Sequence, residues 1–313
     1  MVVSLSFPAL SGCFKVVPPA TSRKEANEKF IKICKEEYKL NVLTNSLKHT
    51  LWIYLPMKEN IIDYKASPEG PKRSNKPAEK WAINYLDGYF QTQIFYFEYA
   101  IEKKNNYLND NGISSSYNPE YTQIQNHLWT ALSRSYTDLE TVPGDYDYFL
   151  GSEKDLSHKK LVHAYVKTEK PPDFVVMVIS DIKKGIEVIT IFNFEDFKRA
   201  MTGEMPQEEF IKRDISELTG KETIVDDSEG KHVDYHDITW TEFLTKQALN
   251  RIRFKYQQSD FKPGDNTEEE MIAIVAQTFQ AYHFQNFKSV ELNNLVTQKK
   301  VIFEQPQVAT FAK

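Results

Sequence analysis

Hydrophobic positions first fall into a helical stripe at Ala26, Phe30, Ile33 and Cys34. Thr21-Ser22 and Glu25 supply capping residues ahead of it, so the spacing predicts a helix over about residues 23–38. Two runs rich in β-formers follow, LNVLTNSL and TLWIYLP, with Lys48-His49 at the turn between them. Residues 57–76 are rich in Pro, Lys, Asn and Ser and read as a long loop. Pro77 and Gly88 bracket a stretch that reads as a helix. FQTQIFYFEYAIEK then puts Ile94, Tyr96 and Ala100 on one face of a strand and Phe95, Phe97, Tyr99 and Ile101 on the other, which predicts a strand covered on both sides. Asn118-Pro119-Glu120 opens a helix with Tyr121, Ile124, Leu128 and Leu132 inward.

Residues 137–158 are turn-rich and acidic, and LVHAYVK, DFVVMVIS and GIEVITIFNF after them read as strands. Asp181 to Gly185 joins the last two as a hairpin. Asn193, Glu195 and Asp196 favour a helix start at FEDFKRAM, which Gly203 ends. Pro206 opens a helix to about Leu218, and Thr239 with Glu242 caps another at FLTKQAL. RIRFKYQ alternates, which assigns Ile252, Phe254 and Tyr256 to the core face of a strand. Thr267 and Glu270 cap a helix whose stripe is Met271, Ile274, Val275, Thr278 and Tyr282, and VELNNLV and VIFEQ close the chain as strands.

The order predicts an α+β fold, with mixed or antiparallel sheets and helices packed on one face. A division into subdomains 24–150 and 151–313 falls in the 137–158 loop, with 219–231 as the other candidate boundary. The first and last units share the order helix, strand, turn, strand. Val42, Asn45 and Leu47 recur as Val290, Asn293 and Leu295, but three identities are explained by common α+β construction better than by a repeat.

Composition narrows the function. A chain of 313 residues with 41% hydrophobic and 13% aromatic side chains can bury a sizeable core. A net charge of -5 gives no electrostatic footprint for nucleic acid, and Lys103-Lys104 and Lys299-Lys300 read as solvated surface. Phosphate-cradling glycine patterns, the nucleophile elbow and the metalloprotease helix signature are absent, so no cofactor is implied and no residue is assigned a catalytic role. With two cysteines, a multi-cysteine metal site is excluded; Cys34 reads as a buried thiol.

One stretch carries candidate metal chemistry. In Lys231-His232-Val233-Asp234-Tyr235-His236-Asp237, a strand would project His232, Asp234 and His236 from one face, a ligand set suited to a zinc-like ion. His158 and His163 are further candidate ligands. The stretch also follows a polar turn and precedes a helix cap, and a solvated segment is the weightier reading. Glu195 and Asp196 are explained by a helix start, Arg134 by a helix end, and Phe95-Tyr96-Phe97 by core packing rather than ligand stacking.

The opening is uncharged until Lys15. VVSLSFPAL leads into Leu10-Ser11-Gly12-Cys13, which resembles the lipobox of bacterial lipoproteins. The resemblance covers the first dozen residues only. It implies that residues 1–12 are a signal-peptide segment and that Cys13 becomes the lipidated first residue, tethered through 13–23 with Pro18-Pro19 as an extended spacer. It further implies a cell-envelope address with the body outside the cytoplasm, the membrane as a partner through the anchor, and a non-enzymatic binding or scaffolding role toward another envelope protein. Two other readings stand beside it: a secreted metal-dependent hydrolase or metal-binding protein using His232, Asp234 and His236, and a cytoplasmic α+β protein with an ordinary N-terminal strand.

Overall fold

The computed structural model describes residues 21–66, 78–106, 113–137, 168–256, 264 and 266–312. Cys13, the leader, residues 13–20 of the tether, the expected strand LVHAYVK, His158 and His163 lie outside the described residues. The fold is α+β, as the element order predicts.

The first sheet runs β1-β2-β7-β8-β9, from β1 (Leu43–Ser46), β2 (Thr50–Met57), β7 (Phe174–Asp181), β8 (Ile186–Asn193) and β9 (Ile215–Gly220). β2 and β7 pair in parallel and the other neighbours antiparallel. Alternation sorts its side chains cleanly. Leu51, Ile53, Leu55, Val175, Met177, Val188 and Phe192 face four helices: α1 (Arg23–Glu36), α2 (Pro119–Tyr136), α3 (Phe194–Met201) and α4 (Gln207–Arg213). Trp52, Tyr54, Phe174, Val176, Val178 and Ile191 face the other way, under Ile238 and Phe243. Both faces of β2 and β7 are therefore dry, which is why these strands read as unbroken apolar runs. α1 begins with a capping box in which Ser22 and Glu25 exchange bonds.

The second sheet runs β11-β10-β5-β4, from β4 (Ala78–Gln91), β5 (Ile94–Asn106), β10 (Ser289–Asn294) and β11 (Lys299–Glu304). One face packs on α5 (Trp240–Tyr256), α6 (Thr267–Ala281) and α7 (Gln305–Thr310), through Phe95, Phe97, Tyr99, Leu244, Ile252 and Val275 among others. A two-stranded sheet of β3 (Ile62–Ala66) and β6 (Ile113–Tyr117) completes the fold. α5 joins the two main sheets: Phe243 sits in the core of the first, and Leu244 and Ala248 in that of the second.

Several expectations are corrected. The stretch after Pro77 is strand β4, not a helix; Gly88 lies inside it, where a Cβ would come within 3.1 Å of Thr245 on α5. β5 is buried on one face only: Phe95, Phe97, Tyr99 and Ile101 are buried, while Ile94, Tyr96 and Ala100 are half-exposed. The helix after Pro206 ends at Arg213, and Ile215 begins β9. Residues 251–256 of RIRFKYQ are the last part of α5, so Ile252 and Tyr256 are buried one turn apart and Phe254 is 74% exposed. Both main sheets cross the 137–158 boundary, since β2 pairs with β7 and β5 with β10.

Candidate functional site

The outward face of β7 and β8 carries a cleft of about 190 Å³. Its floor is Val178, Ile189, Ile191 and Trp52, and the irregular segment after Asp227 forms its wall. The apolar floor follows from the period of two along β7 and β8, which sends every second side chain to this face. Glu187 shares that parity and stands on the same face, buried.

His232 sits against it, its side chain 6% exposed. Its Nε2 lies 2.8 Å from Glu187 Oε2, and its Nδ1 lies 2.6 Å from Asp227 Oδ2. Carboxylates only accept, so these two bonds need two protons among the three groups. The backbone N–H of His232 also donates to Asp227 Oδ2 at 2.9 Å, and that of Glu229 to Oδ1 at 3.1 Å. Burial works against the Asp227 charge, but the His232 backbone and ring and the N–H groups of Lys231 and Glu229 outweigh it and hold this carboxyl well below the usual range. The Tyr54 hydroxyl donates to the Asp227 carbonyl and fixes the loop to β2.

A second imidazole stands at the rim. His236 Nε2 lies 3.0 Å from Glu242 Oε1, and Nδ1 lies 3.0 Å from the Asp234 carbonyl. Partial burial disfavours its charge, yet Glu242 and the Asp234 carbonyl prevail and raise its pKa above the ordinary value. Trp52 Nε1 donates to the His236 carbonyl at 2.7 Å. Both histidines thus have both ring nitrogens engaged, which fixes the orientation of each ring. The remaining charges are less constrained. Among the described residues Lys221, Lys246 and Glu217 line the cleft and make no ion pair.

The segment 231–237 is not a strand, and it does not present His232, Asp234 and His236 together. His232 turns inward, the Asp234 side chain is 98% exposed, and His236 turns to Glu242. Among the described residues no group of three or more His, Cys, Asp and Glu is placed to hold a metal ion. Glu187 and Asp227 escaped the sequence reading because their link to His232 is purely tertiary. The signal available in sequence was the turn DDSEGK, in which Gly230 adopts φ +70°. Among the described residues no helix is long and apolar enough to cross a membrane. The chain matches no family model, no curated protein and no solved structure.

Proposed function

We propose that the chain is a lipid-anchored envelope protein whose body binds a small organic anion without transforming it. The anchoring half of this reading is supported by the resemblance of Leu10-Ser11-Gly12-Cys13 to a lipobox. Acyl chains on Cys13 would hold the body at a membrane face; one chain binds only marginally, so durable attachment takes more than one. The binding half is supported by one observation, an apolar floor beside two lysines, Lys221 and Lys246, and one carboxylate, Glu217, that make no ion pair among the described residues, which leaves one positive charge in excess. A ligand with an apolar body and one acidic group satisfies both surfaces. The cleft is smaller than a drug-sized site, which sets the ligand at amino-acid or small aromatic-acid size.

The test uses the full protein. Mass analysis of the native N-terminus and membrane fractionation of wild type and Cys13→Ala read the anchor; an unmodified Met1 on a protein that stays in the aqueous fraction sinks it. Benzoate, phenylacetate and benzylamine are then titrated by calorimetry. Binding of the two acids but not the amine, lost in Lys221→Ala/Lys246→Ala, supports the ligand class. Equal binding of acid and amine removes it.

A further inference from the structure

Away from the cleft, α1 and α2 bring together polar groups that the rest of the fold leaves unused. Arg23, in the first turn of α1, donates from Nη1 to the Lys48 carbonyl at 2.9 Å. Its Nε and Nη2 are shut off from water and, among the described residues, have no hydrogen-bond partner. Those two nitrogens form the side-on edge of the guanidinium, where two parallel N–H groups grip two oxygens of one oxyanion. Tyr136, at the end of α2, is fully buried, and its hydroxyl is likewise unpartnered. Thr168 Oγ1 donates to the Tyr136 carbonyl at 3.4 Å and Thr168 bridges Thr21, two residues before Arg23, which brings the end of α2 to the start of α1. Asn27 follows Arg23 by one turn on the same face. Its Nδ2 donates to Thr44 Oγ1 at 2.9 Å, and its Oδ1 is enclosed without a donor.

Nearby acids do not fill this gap. Asp237 Oδ1 accepts the His49 backbone N–H at 2.7 Å, and Asp173 Oδ2 is 2.7 Å from His49 Nδ1. Both act on Arg23 only through space. Enclosed polar groups without partners are rare, and a missing ion or water is the usual resolution. Here the unmet groups are two N–H donors, one hydroxyl and one acceptor.

We infer that Arg23, Tyr136 and Asn27 form a binding site for a protonated oxyanion of the hydrogen-phosphate type. Its bare oxygens accept from the Arg23 fork and the Tyr136 hydroxyl, and its P–OH donates to Asn27 Oδ1. None of these residues lines the cleft, and the site stands whether or not the cleft binds an acid.

The experiment titrates the full protein with inorganic phosphate and with sulfate at constant ionic strength and pH 7, reading thermal unfolding and phosphorus NMR linewidth. Phosphate raises Tm and broadens, and sulfate, which has no proton to donate to Asn27, binds about tenfold more weakly. Arg23→Lys keeps the charge but loses the fork, and weakens phosphate about tenfold. Asn27→Ala still binds and no longer separates phosphate from sulfate, which keeps the test alive if Arg23→Lys fails to fold. Lys221→Ala/Lys246→Ala leaves phosphate binding unchanged. No response to phosphate, or equal responses in wild type and both single variants, overturns the site.

Discussion

His232 Nε2 lies 2.8 Å from Glu187 Oε2, and this bond ties the loop after Asp227 to the start of β8 in the first sheet. Asp227 completes the cluster from within the loop. Three titratable side chains are thereby held in a nearly dry place, where each depends on the others. His232→Ala removes the shared partner and leaves the buried Glu187 and the half-buried Asp227 carboxylates facing a void. The expected loss is about 3–5 kcal/mol, read by urea unfolding at neutral pH. Glu187→Leu/His232→Leu, which removes both partners of the sheet bond, recovers a large part of that loss. A single His232→Ala variant as stable as wild type contradicts the clamp.

His236 gives the pH dependence. Its folded pKa is raised, with Glu242 and the Asp234 carbonyl overcoming the effect of burial. The folded state therefore holds the proton more tightly than the unfolded chain. The stabilisation is complete below the unfolded value, near 6.5, and is lost as pH rises through the higher folded value. Proton NMR of the ring follows the midpoint directly. Glu242→Gln is expected to move that midpoint down and to flatten the fall of stability on the alkaline side. A His236 midpoint unmoved by Glu242→Gln removes Glu242 as the cause.

Cys34 is fully buried among the helices over the first sheet, and burial pushes its thiol up to about 12. A thiol that is neither ionised nor accessible is unreactive. Ellman's reagent is expected to leave Cys34 untouched in folded protein and to titrate it on unfolding in guanidinium. Modification within the mixing time under native conditions would show that the packing of α1 against Leu51 and Ile53 opens easily.

Much of the fold is legible in the sequence where one period dominates. Ala26, Phe30, Ile33 and Cys34 define α1 with its cap, and the two-faced apolar runs define β2 and β7. Failures occur where two periods coexist. In β4 a register shift between Ile83 and Tyr85 displaces the inward set from Trp81 and Ile83 to Leu86 and Phe90. A bulge of this kind breaks the alternation that marks a strand, and Pro77 and Gly88 then stand as the stronger signals, for a helix. In α5, Ile252 and Tyr256 satisfy the helical four-residue spacing and the strand alternation alike, and only Phe254 separates them. The candidate site was half legible. Its histidines stood out by type, but Glu187 lies 45 positions from His232 in sequence, and a local pattern carries no trace of that meeting.

Gly230 sets the path of the same loop and gives the most local prediction. Its φ is +70°, and a Cβ there would lie 2.5 Å from the Tyr235 hydroxyl and 2.9 Å from the Tyr54 ring. The backbone region alone costs a residue with a side chain about 1–2 kcal/mol. The Tyr54 ring cannot retreat freely, because it is fully buried and its hydroxyl is bonded to the Asp227 carbonyl. Gly230→Ala is therefore expected to destabilise by more than the backbone cost, and to loosen the bond between His232 and Glu187. Gly203→Ala provides the comparison, since its φ is +77° and nothing lies within 4 Å of the added atom. Denaturant unfolding of the two variants separates backbone strain, which both carry, from the clash, which only Gly230→Ala carries. Equal losses in the two would mean that Tyr54 and Tyr235 yield, and that the loop is not held against β2.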